Sequence, residues 1–109
     1  MNKLTLPNIY NKPDVRTSYN INNREYTFRF KWCGTFCIVD IYVIENSKNN
    51  YLVKGRAITL NSDLFARVKN DKLVKGSLVL VNIYGNTTEP QQDNFHTDYC
   101  LIYYTQEEL

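Results

Sequence analysis

From Arg24 to Trp32 the chain alternates. Tyr26, Phe28, Phe30 and Trp32 fall on one side, and Glu25, Thr27, Arg29 and Lys31 on the other. That is the period of a half-buried strand. Phe36–Ile44 follows, almost continuously apolar and interrupted only by Asp40. The short link Cys33-Gly34-Thr35 predicts an antiparallel hairpin between the two runs. The rest of the chain is expected to pack onto this hairpin.

Weaker patterns flank it. Met1–Asp14, with Pro7, Pro13 and several Asn, predicts an irregular, extended N-terminal arm ahead of a single β domain over 15–109. Leu4, Leu6, Ile9 and Tyr10 in that arm need a surface to cover them. Arg16–Ile21 reads as a strand, closed by an Asn22-Asn23 turn, because Asn tolerates positive φ. Glu45–Asn50 reads as a polar loop and Tyr51–Lys54 as the next strand. Gly55 marks a bulge or bend, and Arg56–Leu60 continues beyond it.

The period then changes. Asn61 or Ser62 predicts the cap of a short helix with Leu64, Phe65 and Val68 inward. Asp63 falls in its first turn, and Arg67 and Lys69 near its end, as the helix dipole favours. Ser77–Ile83 reads as a central strand, Tyr84–Thr97 as a long loop and Asp98–Tyr104 as the last strand, before an acidic end at Thr105–Leu109. The expected fold class is therefore all-β: a small antiparallel barrel or sandwich of six to seven strands with one short helix.

Composition narrows the function classes. A chain of 109 residues that is 43% hydrophobic is one domain with one core, which argues against disorder. A net charge of +2 is too small to point to a nucleic-acid or membrane partner. No apolar run is long enough to span a bilayer, and the start has no apolar signal core, so synthesis and retention in a cytoplasm are expected. Three cysteines is an odd count, which favours free thiols over a disulfide framework.

Candidate chemistry is sparse. Cys33, Cys37, His96 and Cys100 are zinc-compatible types, but the Cys33/Cys37 spacing on extended chain separates the thiols by roughly 13 Å. Any nucleophilic site must use His96, the single histidine, and no nucleophile elbow or phosphate loop accompanies it. No catalytic, cofactor-binding or metal residue is assigned, and no enzyme is expected. Asp40, inside an apolar strand, needs a partner, with Arg29 and Arg56 as candidates. Trp32 and tyrosines 19, 26, 42, 51, 84, 99, 103 and 104 read mainly as core and rim aromatics. The alternative is an OB-like module for single-stranded nucleic acid, which requires aromatics on one sheet face beside Lys54, Arg56 and Lys75.

The order of features carries more. INNREYTFRFKW, then FCIVDI ending around Asp40, then VKGRAITLNSDLFARV, SLVLVNI and DYCLIYY, resembles the small baseplate plug family of contractile-tailed phages, typified by a cyanophage plug protein. The resemblance spans roughly Ser18–Tyr104. Cys33 stands where Asn is common after the Trp, Phe36 replaces a second Trp, Asn22-Asn23 replaces Asn-Gly, and Glu45–Asn50 is longer than usual. The resemblance implies a structural virion component that plugs or joins the central hub or tube end of the tail baseplate. Its partners would be hub, tube and spike proteins, with no small-molecule substrate, membrane or nucleic acid, and it would assemble in the host cytoplasm. No functional residues carry over from it.

Overall fold

The computed structural model describes residues 2–66, 68, 70 and 72–108. Seven strands among them form two antiparallel sheets. The larger sheet is a meander of β2 (Asp14–Ile21), β3 (Arg24–Trp32), β4 (Cys37–Glu45) and β5 (Lys48–Ile58), in chain order. The smaller has the order β1-β7-β6, from β1 (Asn2–Thr5), β6 (Gly76–Asn82) and β7 (Tyr99–Thr105). The sheets face each other as a sandwich and do not close into a barrel.

The alternating residues of β3 behave as their pattern dictates. Tyr26, Phe28 and Phe30 are fully buried, and Phe30 packs edge-on against Phe95 at 6.0 Å between ring centroids. Val39 and Ile41 of β4, Leu78 and Leu80 of β6, and Leu101 and Tyr103 of β7 complete the core. Asn22 and Asn23, with φ of 53° and 66°, form the tight turn that the β2–β3 twist requires. Asn46 and Ser47 do the same between β4 and β5. The expected loop Glu45–Asn50 is thereby reduced to two residues, and β5 runs eleven residues through Gly55.

Gly55 is a bulge. Register shifts from Val39↔Arg56 to Ile41↔Val53, so Asp40 alone opposes Lys54 and Gly55. Left-handed φ of 64° at Gly55 turns its N–H onto the Asp40 carboxylate at 2.6 Å. Lys31 Nζ lies 3.7 Å from the other carboxylate oxygen. Neither expected partner is used. Arg29 is the cross-strand neighbour of Asp40 but turns its guanidinium to Asp14, and Arg56 donates to the Ala66 carbonyl at 2.9 Å.

Several expectations are corrected. The helix predicted from Asn61 is absent over the described residues; Arg67 and Lys69 lie outside them. Leu64 and Phe65 are buried as expected, but by a looped segment laid against the free edge of β6. Asp63 explains this. Its carboxylate accepts from the Phe65 and Leu78 N–H groups and from Ser77 Oγ, each at 2.9 Å, tying the segment to β6 where a helix start would turn away. The short α-helix, α1 (Phe95–Asp98), lies at the end of the expected Tyr84–Thr97 loop, where Phe95 drops into the core. The expected irregular start contains β1, which pairs with β7 from Asn2↔Tyr103 to Thr5↔Cys100 and buries Leu4. β6 is not central: β7 is, and on its other side β6 meets two isolated bridges among the described residues, at Leu60↔Leu80 and Asp63↔Val79.

Candidate functional site

The two ends of the sandwich differ in chemistry. At one end the segments 6–13, 33–36, 59–62 and 83–98 converge. Trp32 N–H donates to the Pro13 carbonyl at 2.8 Å, and the Gln92 side chain donates to the Ile9 and Tyr10 carbonyls at 2.9 and 3.0 Å. The Glu89 carboxylate receives the Leu60 N–H at 2.9 and 3.0 Å, and Tyr99 donates to the Thr88 carbonyl. These bonds pin the long loop against the body. Tyr10, Phe36, Ile83 and Tyr84 nevertheless stand out from this end, with Tyr84 69% and Tyr10 57% exposed. Around them lie Asn, Gln and Thr side chains, two glycines and few charges.

The opposite end is ionic. Lys72 pairs with Glu45 at 2.6 Å, and with Asn50 it holds the Glu45 carboxyl below the ordinary carboxylate range. Arg24 and Tyr26 donate to the Lys72 carbonyl, and Tyr103 donates to that of Lys75. An open groove of about 600 Å³ runs here, lined by Asn22, Arg24, Phe65, Leu73, Val74 and Lys75.

The outer face of the larger sheet is polar. Arg29 holds Asp14 through paired bonds, Nε to Oδ1 at 2.8 Å and Nη2 to Oδ2 at 2.5 Å, which lowers the Asp14 pKa and raises that of Arg29. Tyr42 and Tyr51 pack together on the same face, with Lys54 Nζ 4.9 Å from the Tyr51 ring.

The residues weighed for chemistry are dispersed. Cys33 is exposed in the β3–β4 link, Cys37 is buried in β4, Cys100 is buried in β7, and His96 sits on α1. All three thiols are free, and among the described residues no three His, Cys, Asp or Glu side chains gather to hold a metal. Burial pushes the Cys37 thiol up to about 12 and also raises Cys100. In native protein, DTNB is expected to titrate rapidly only Cys33, with Cys37 and Cys100 reacting on denaturation. More than one fast thiol would show that β4 or β7 opens readily.

The residues required for strand-binding also fail to assemble. Tyr26, Tyr42, Tyr99 and Tyr103 are buried, Arg56 is spent on Ala66, and Lys75 precedes β6 in the other sheet. Among the described residues no helix is long and apolar enough to cross a membrane.

A sequence model of the family described as cyanophage baseplate Pam3 plug gp18 matches residues 1–107. The chain belongs to this baseplate plug family. No curated protein matches it. Membership in the plug family makes the chain a structural component of a phage tail baseplate, located in the virion tail and in contact with other baseplate or tail proteins. A structural plug family points to a non-enzyme. Tyr10, Phe36 and Tyr84 are distant in sequence, so only the topology brings them together, and no motif announces them. The available signal was tyrosine within Asn- and Pro-rich segments, the composition of adaptable binding loops.

Proposed function

We propose that the chain fills and joins the central hub of the baseplate at the end of the tail tube, between tube and spike proteins, and turns nothing over. The family match along residues 1–107 carries this reading. The shape of the molecule supports it: a filled sandwich with exposed aromatics concentrated on one loop end. Tyr and Phe ringed by uncharged polar side chains suit a protein surface, because they bury large area at small entropic cost. Assembly takes place in the host cytoplasm before the tail is complete.

The test is to delete the gene and image the tails that form. Loss of axial density where tube meets hub is the expected result. Unchanged axial density, or wild-type tails that lack the chain, would overturn the reading.

A further inference from the structure

The two sheets have four edges, and three are blunted. β1 is four residues long. β6 is bordered by the 60–64 segment, with Asn61 N–H on the Leu80 carbonyl at 2.8 Å and Leu64 N–H on the Leu78 carbonyl at 2.7 Å. β5 carries two register shifts, Gly55, and lysines at 48 and 54. Short strands, cover, bulges and lysines are the usual means of stopping an edge from pairing.

Of such devices β2 has only charged side chains toward one end, Asp14 and Arg16. Its eight residues, DVRTSYNI, pair one-to-one with β3 without a shift and contain no Pro, Gly or Lys. Ile21 and Arg24 flank a two-residue turn and so form the closing hydrogen-bonded pair of the hairpin. Antiparallel alternation then points Tyr19, Thr17 and Val15 at β3. Asn20, Ser18, Arg16 and Asp14 turn their N–H and C=O groups outward. Among the described residues no backbone partner outside the sheet reaches 14–21.

The edge also carries a net positive charge, since Arg16 and Arg29 share the single carboxylate of Asp14. Arg16 lies directly opposite Arg29, and like charges so placed repel. Asp14 is committed to Arg29. Arg16 is exposed and makes no hydrogen bond or ion pair among the described residues. A second copy of β2 answers it poorly. Antiparallel self-pairing about Thr17 or Ser18 sets Ser18 or Asn20 against Arg16, and pairing about Arg16 sets it against itself; pairing about Val15 sets Asp14 against Arg16 but overlaps β2 only over 14–16.

We infer that the β2 edge takes up an extended segment of another baseplate protein, which adds a fifth strand to the larger sheet and sets a carboxylate against Arg16. Main-chain bonds along the edge give the affinity, and the Arg16 contact fixes the register. The inference rests on the baseplate reading above and names one contact through which it is made.

Imaging wild-type baseplates at side-chain resolution tests it, together with Ser18→Pro, Ser18→Ala and Arg16→Glu variants. Ser18→Pro removes one outward N–H and leaves the ladder to β3 intact. The expected image shows a foreign strand along β2 with an acidic side chain at Arg16. Copies of the chain per purified particle, counted by mass spectrometry, should fall about tenfold or more for Ser18→Pro and Arg16→Glu and stay at wild type for Ser18→Ala. The purified variants are melted alone; should Ser18→Pro fail to fold, Arg16→Glu still decides. A bare β2, a second copy along it, or full incorporation of a folded Ser18→Pro or Arg16→Glu variant would overturn the inference and leave the baseplate role standing. Wild-type particles without the chain would overturn both.

Discussion

Phe30→Ala is expected to destabilise the chain by about 3–5 kcal/mol, the usual cost of emptying a buried phenylalanine site. Phe30 has no exposed surface and sits between Phe28, at 5.9 Å, and Phe95, at 6.0 Å. It is the point where the β3 stripe meets the element that closes the sandwich end. Phe95 belongs to a four-residue helix held by this packing, and the surroundings of an emptied core site relax only partially, so a cavity is left. A domain of this size is stable by roughly 5–15 kcal/mol in total. The melting temperature should therefore fall by about 12–20 °C, measurable by calorimetry or circular dichroism. Phe36→Ala, at a 44% exposed position, should cost under about 1 kcal/mol. A loss below about 1 kcal/mol for Phe30→Ala would contradict a closed core here.

Gly76→Ala is expected to cost about 2–5 kcal/mol, combining backbone strain with overpacking. Gly76 opens β6 with φ of 136°, a region that side chains rarely adopt. An added Cβ would lie 2.2 Å from the Tyr104 carbonyl oxygen and 2.9 Å from Tyr103 Cε1. The first neighbour is backbone of the central strand, and the second is a ring whose hydroxyl is held by the Lys75 carbonyl, so neither yields cheaply. Gly85→Ala is the control. Its φ is 78° but nothing lies within 4 Å, so it should lose only the roughly 1–2 kcal/mol of a left-handed residue. Urea midpoints separate the two, and equal shifts would mean that β6 packs differently at its start.

Much of the larger sheet was legible because its signals are local. Alternation in Arg24–Trp32, the Asn22-Asn23 turn and the bulge at Gly55 each lie within a few residues of what they specify. The smaller sheet was harder to read. Leu4 and Leu6, followed by Pro7, carry no clear period, and their partner is the far end of the sequence. The helix predicted at Asn61 is absent over the described residues because Asp63 has a stronger alternative: three donors, two of them on Ser77 and Leu78, beyond the range of any local rule. Asp40 needs partners because its strand is otherwise apolar, but strand pairing alone does not say that Arg29 turns toward Asp14. The resemblance identified the family, while the loop end and the β2 edge came from topology alone, since neither is a motif.

The pairing of β1 with β7 joins the first strand to the last. During translation β2 to β5 are made consecutively, and each hairpin can form as it leaves the ribosome, because its contacts are local. β1 must wait with Leu4 uncovered until β7 is made. A nascent chain thus keeps one sheet unfinished until β7 has emerged, and ribosome stalling before Tyr99 would leave a half-built sandwich exposed to aggregation.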